Sequence, residues 1–229
     1  HDRREALQTA IASAHTETFA DLFEQMAVPG PYRPQAQDAG KRALRLNSLS
    51  ALTRVRGTDL AKDLFDSADN MTESLGALAI LLHAGEGEEE RATFYHKWKN
   101  DPNTLNKWFS LQVVHAAPDA AVATAKRLTA HPRFDWKNPN RFRAVVGGLA
   151  GNTAGFHHAS GIGYAFLADW LKKLDPVNPM TAARMATVFE TWARYDGDRQ
   201  GQMRDALERL LIGSPSRDMT EIASRILGK

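Results

Sequence analysis

Apolar residues recur along this chain at intervals of three and four, the repeat of an amphipathic helix, and nowhere alternate over a useful length as a half-buried strand would. Leu7, Ile11, Phe19, Leu22, Phe23 and Met26 predict a helix over 5–27, closed by the breaker Pro29-Gly30-Pro31. Residues 32–37 read as a linker. Ala43, Leu46, Leu49 and Leu52 predict a helix over 38–55 that stops at Gly57, and Thr58 is placed to cap a third through Leu60, Leu64 and Phe65. Asn70 followed three residues later by Glu73 is a capping-box signature. It opens a very apolar helix over 71–83, with Leu75, Leu78, Ala79 and Leu82 inward and an end at Gly85.

Residues 86–99 form a charged amphipathic segment carrying Phe94, Tyr95 and Trp98. Asp101-Pro102 starts a helix in which Leu105, Trp108, Phe109 and Ala116 share a face with Gln112, and Pro118 starts another through Val122, Ala125 and Leu128. The stretch 131–167 then breaks the monotony with aromatics, glycines and hydrogen-bonding side chains. Asn138-Pro139 marks a helix start twice over, since asparagine caps well and proline suits the first helical position. The helix it opens carries Phe142, Val145, Val146, Leu149 and Ala150 on one face. Further helices follow over 164–174, from Asn178-Pro179 through Met185, Val188, Phe189 and Trp192, over 196–212 and over 218–227.

About a dozen helices joined by short turns, with no strands, predict an all-α fold of antiparallel helix pairs stacked on one another. No strict period is visible, so the expected architecture is an irregular HEAT/armadillo-like helical repeat, an α-solenoid or superhelical bowl, forming a single all-helical domain over 1–229.

Composition narrows the chemistry. The 229 residues include no cysteine, which removes thiolate catalysis and Cys-type zinc sites and fits a reducing, cytoplasmic compartment. No apolar run approaches the roughly 20 residues of a membrane span, and the N-terminus does not resemble a signal peptide. The opening residue is histidine, in mid-helix by pattern, which suggests a fragment of something longer. Lys+Arg number 29 against 27 Asp+Glu and alternate with them, so no basic stripe for nucleic acid forms.

None of the eight histidines begins an H-E-x-x-H motif, and the adjacent His157 and His158 point about 100° apart on a helix. They read as loop or helix-end residues that hydrogen-bond locally. G-x-S-x-G, G-x-x-x-x-G-K-[ST] and G-x-G-x-x-G are absent. Gly147, Gly148 and Gly151 read as packing or capping glycines, and Gly161 and Gly163 as a turn before the next helix. Gln112 is a polar amide on an apolar stripe and needs partners, which the loop 131–140 is placed to supply. Arg141 and Arg143 lie near a helix N-terminus, where the macrodipole disfavours a cation, so each needs an ion pair, such as Asp135, or an anion to hold. By its residues alone, the chain is a helical scaffold without an active site of its own.

Several long words carry a resemblance: GKRALR at 40–45, DNMTESLGAL at 69–78, KWF at 107–109 with Gln112, NPNRFR at 138–143, AGFH at 154–157, SGIGYAFL at 160–167, NPMTAAR at 178–184 and RYDGDRQGQM at 194–203. In this order they resemble the C-terminal helical domain of bacterial aminopeptidase N, a zinc-dependent alanyl aminopeptidase of the gluzincin class. The resemblance implies a non-catalytic domain, inactive alone and without a cofactor of its own, whose partner is the zinc-bearing catalytic domain of the same polypeptide. It implies that the domain encloses the active-site chamber and controls access of peptide substrates. It also implies that Arg143 and Arg184 face that chamber and reach the peptide carboxylate, with Gln112, Asn138 and Asn140 as structural residues nearby. Ion pairing of both arginines with acids is the competing reading. Met180 and His158 depart from the expected pattern. A different class of function, an independent helical-repeat adaptor for a protein or peptide, is the alternative.

Overall fold

A computed structural model describes residues 1–229 as helices and turns without a strand. The chain divides into two compact units, residues 1–99 and 100–229.

Unit 1 holds α1 (Asp2–Ala14), α2 (Thr16–Gln25), α3 (Ala36–Arg56), α4 (Asp59–Ser67), α5 (Met71–His83) and α6 (Glu88–Trp98). The single helix expected over 5–27 is broken at His15, whose backbone leaves the helical region at φ −122°, ψ 27°. The hydroxyl of Thr16 donates back to the carbonyls of Ala12 (2.9 Å) and Ser13 (3.1 Å), competing for the acceptors that a continuous helix would use. The stop at Gly57, φ +86°, falls as expected, whereas α3 begins at Ala36, inside the linker expected over 32–37. Asn70 caps α5: its Oδ1 accepts from the Glu73 backbone N–H at 3.0 Å and its amide donates to the Glu73 carboxylate at 2.7 Å. Thr58 does not cap α4 with its side chain; its hydroxyl donates to Glu86 at 2.7 Å instead.

α5 buries Ala77, Leu78 and Leu81, whereas Leu75, Ala79 and Leu82 are only partly shielded. That helix is apolar on almost every side, so periodicity cannot orient it. Arg45 joins three helices, pairing with Glu73 at 2.8 Å, donating to the Phe23 carbonyl at 3.2 Å and lying 4.6 Å over the Phe23 ring.

Unit 2 holds α7 (Pro102–Val114), α8 (Ala121–Thr129), α9 (Pro139–Phe142), a π-helical turn (Arg143–Gly147), α10 (Gly148–Gly151), α11 (Thr153–Phe156), α12 (Ile162–Leu174), α13 (Pro179–Ala186), two 3-10 turns (Thr187–Phe189 and Trp192–Arg194), α14 (Gly197–Leu210) and α15 (Arg217–Leu227). Each polar–proline start behaves as its chemistry dictates. Asp101, Asn138 and Asn178 accept backbone N–H bonds from the first turns of α7, α9 and α13, and proline occupies the position where its missing donor costs nothing. The helix expected from Asn138-Pro139 buries Phe142, Val145, Val146 and Leu149 completely. It widens into the π turn at Arg143, so one continuous α-helix does not form. Phe109, Leu128, Phe156, Tyr164, Phe189 and Leu207 of the same unit are likewise shielded from water.

Asp175 closes the far end of α12. Its two oxygens accept from the Ser216 backbone N–H (2.7 Å) and hydroxyl (2.6 Å), and the Ser216 hydroxyl oxygen in turn caps α15 through the Met219 N–H at 3.1 Å.

Candidate functional site

Arg143 opens the π turn and Arg184 lies in the last turn of α13; both are exposed. Together they line one groove of about 500 Å3, with Gly147, Ala150, Thr181, Met185 and Val188. Asn140 touches Arg143 through its Oδ1, a long 3.4 Å bond from Nη1 that leaves most of the guanidinium donors unused. The ion pairs of this unit are Arg199–Asp196, Arg209–Asp169, Arg225–Glu190 and Lys229–Glu208, and they include neither Arg143 nor Arg184. Two exposed guanidinium groups beside a partly apolar floor can receive a carboxylate bidentately, because their planar forks match its oxygens. Arg184 also borders a second groove of about 420 Å3, toward Met180, Asp218 and Ile222.

The other named residues serve the frame. Asn138 is taken up by capping, its Oδ1 accepting from the Asn140 N–H (3.0 Å) and the Arg141 N–H (3.2 Å). Gln112 is 5% exposed; its amide donates to the Trp108 carbonyl at 3.0 Å and its oxygen accepts from Arg127 at 3.3 Å, so α7 and α8 supply these partners. Arg141, 7% exposed, is a buried strut. Its Nε donates to Asn106 and its Nη1 to the Arg133 carbonyl, each at 2.6 Å, and the guanidinium lies 4.8 Å over the Phe109 ring. Burial is the main cause that lowers its pKa from the usual arginine value.

Sequence reasoning passed over two centres. Asn152 caps α11 and holds the end of α7, as its neighbours in sequence gave no reason to expect. His157, read as a local hydrogen-bonding residue, joins three distant elements. Its Nδ1 lies 2.8 Å from the Tyr164 hydroxyl and its Nε2 2.9 Å from the Tyr195 hydroxyl, and its ring stacks on Tyr195. Arg199 donates to the His157 carbonyl at 2.7 Å. Burial first, and the Arg199 charge second, lower the His157 pKa, while burial pushes the Tyr164 phenol up to about 12. The signal was present in AGFH, SGIGYAFL and RYDGDRQGQM, three words that converge here. His158 does bond locally, to Ser160 at 2.9 Å.

No group of three or more His, Asp or Glu side chains is arranged to hold a metal ion, so the donor set of this chain does not fit zinc. No helix is long and apolar enough to cross a membrane.

The fold defines an all-helical repeat domain, and the chain belongs to the family described as "Domain of unknown function (DUF3458_C) ARM repeats", whose model matches residues 1–228. It is similar to the C-terminal part of bacterial aminopeptidases. Aminopeptidase N of Caulobacter vibrioides is 39% identical over 236 residues, a match covering 100% of this chain and 27% of that protein. Aminopeptidase N of Haemophilus influenzae is 33% identical, covering 98% and 26%, and that of Escherichia coli is 34% identical, covering 90% and 24%. The crystal structure of Legionella pneumophila aminopeptidase A in complex with aspartic acid superposes with a TM-score of 0.90 at 32% identity, covering 98% of this chain and 28% of that one. The chain thus spans about a quarter of the length of these relatives.

Proposed function

We propose that residues 1–229 act as one C-terminal, non-catalytic domain of a cytoplasmic zinc aminopeptidase that removes N-terminal amino acids from peptides. In this reading the domain packs on the catalytic domain of the same polypeptide, encloses the active-site chamber and controls which peptides enter. The zinc and the groups that polarise the scissile carbonyl belong to that other domain, since the donors here do not fit a metal, and this chain alone does not hydrolyse peptides. Arg143 and Arg184 hold the carboxylate end of a short peptide; Asn140 steadies Arg143, and Asn138 and Gln112 keep the surrounding helices in place.

The observation that carries the reading is the pair of exposed arginines lining one groove with no acidic partner. Arg45 and Arg199, by contrast, are each ion-paired with a carboxylate. In the longer enzyme, Arg143→Ala and Arg184→Ala should raise KM for short free peptides by about tenfold, the worth of a lost charge-assisted bond. Hydrolysis of aminoacyl amides without a carboxylate should barely change. Equal losses on both substrate types would sink the carboxylate role. Turnover of such an amide by the 229-residue chain with zinc would sink its assignment as non-catalytic.

A further inference from the structure

From the end of α8 to the start of the π turn, the balance of charge departs from that of the whole chain. Residues 126–143 carry Lys126, Arg127, Arg133, Lys137, Arg141 and Arg143 against one acid, Asp135, whereas the full sequence sets 29 Lys+Arg against 27 Asp+Glu. Three of these cations meet at one corner of unit 2. His131 lies edge-on to Phe109, ring centres 5.4 Å apart, and its Nδ1 accepts from the Arg133 backbone N–H at 3.1 Å. The Arg133 carbonyl accepts in turn from Nη1 of Arg141, whose guanidinium lies 4.8 Å over the same Phe109 ring. Arg127 reaches the corner from α8 and donates to Gln112. Burial first, and then the charges of Arg141, Arg127 and Arg133, lower the His131 pKa, with no acid acting against them.

A guanidinium as deeply placed as that of Arg141, 7% exposed, ordinarily meets a carboxylate, yet its Nε and Nη1 bond to the neutral oxygens of Asn106 and Arg133. Nη2 keeps two hydrogens that no group of the chain accepts, and it is not sealed from water. Arg133 is exposed and has no ion pair; its guanidinium makes only a long 3.4 Å bond to Asn100. Asp135 acts on Arg141 through its charge without pairing with it, and its Oδ1 accepts from the Lys137 N–H at 3.0 Å. We infer that this corner of α7, α8 and residues 131–141 is an anion site, where Arg133 and the unused edge of Arg141, with Arg127 and His131 beside them, take a dianionic phosphate group. Phosphate suits the corner better than a carboxylate does. One guanidinium fork already occupies both oxygens of a carboxylate, whereas a phosphate offers further oxygens to forks arriving from other sides. None of these four residues lines the groove of Arg143 and Arg184.

The test follows the ring-proton NMR signals of His131 in the 229-residue chain, identified by their loss in His131→Gln. At about pH 7.5, where phosphate is largely dianionic, inorganic phosphate should move these signals along a saturating curve. Sodium chloride at equal ionic strength, and acetate at equal concentration, should not reproduce it. Sulfate, a dianion at every pH used, should raise the pH at which His131 protonates by about half a pH unit, because an anion among the arginines offsets their charge. Arg133→Gln, an exposed substitution that leaves the backbone bonds in place, should weaken phosphate binding about tenfold. The response should persist when Arg143→Ala and Arg184→Ala are combined. Phosphoserine, run beside inorganic phosphate, tells a phosphate carried on a larger molecule from the free ion; a response to either supports the site, and the tighter of the two names its source. Four results would each overturn the inference: chloride or acetate matching phosphate, sulfate leaving the His131 titration unmoved, Arg133→Gln binding as the unsubstituted chain does, or the response vanishing with the groove arginines, which would put the anion in the groove.

Discussion

The side-chain amide of Asn152 reaches the carbonyl oxygen of Val113 at 2.9 Å, across 39 positions of sequence, and ties the start of α11 to the last turn of α7. The same amide donates to the Ala116 carbonyl at 2.8 Å, and its oxygen accepts from the Gly155 N–H at 3.0 Å. One buried residue therefore bonds a helix N-terminus, a carbonyl in the last turn of α7 and another just beyond that helix.

Asn152→Ala removes the cap and takes the amide donors away from those carbonyls, which should cost about 2–4 kcal/mol in a urea titration of the chain. Asn152→Asp keeps the cap but sets a carboxylate against two carbonyl oxygens. It should be at least as damaging, and a milder effect than alanine would contradict the donor role.

The His157 centre predicts acid sensitivity. Its pKa lies below the usual histidine value because of burial and the Arg199 charge, and that of His131 is lowered mainly by burial and then by nearby arginines. An unfolded chain takes up these protons near pH 6.5, before the folded chain does. The neutral-histidine contribution is therefore present in full above that pH and is lost as pH falls below it. Melting midpoints measured from pH 8 to 5 should fall below about 6.5, and His157→Gln should make the fall shallower. An unchanged slope in the variant would show that His157 does not contribute.

Arg141→Lys keeps the charge and loses the planar fork that serves Asn106 and the Arg133 carbonyl at once. The expected cost is about 1–3 kcal/mol by chemical denaturation, because a lysine cannot reproduce both bonds and the stack on Phe109. Arg143→Ala, two residues on and exposed, should change stability by no more than about 0.5 kcal/mol.

Gly163 sits inside α12 against the backbone of Phe156, where an added Cβ would lie 2.6 Å from the Phe156 carbonyl oxygen. Gly163→Ala should destabilise by about 1–3 kcal/mol although alanine is the better helix former. Gly201→Ala on α14 meets no neighbour within 4 Å and should stabilise slightly. Opposite signs in thermal unfolding are the expected result. Read from sequence, Gly163 was part of a turn; the close approach that explains it belongs to a residue seven positions earlier that folds back over α12.

Helix existence was legible because its causes are local. Period-three-and-four apolar spacing, the caps at Asp101, Asn138 and Asn178, and the stop at Gly57 act within a turn or two of chain, and each performs in the fold as its chemistry requires. The break at His15, the buried face of α5 and the π turn at Arg143 were not legible, since competing hydrogen bonds and packing against distant helices decide them.

The residue pattern by itself determined that this chain is all-helical, where most helices begin, and that Arg143 and Arg184 each stand within two turns of an asparagine–proline helix start. That these two arginines, 41 positions apart, line the same groove without an acid between them was decided by tertiary structure. The physical reason is that caps and periodicity act through the hydrogen bonds of one helix, whereas a groove exists only once α13 packs beside the segment that follows α9.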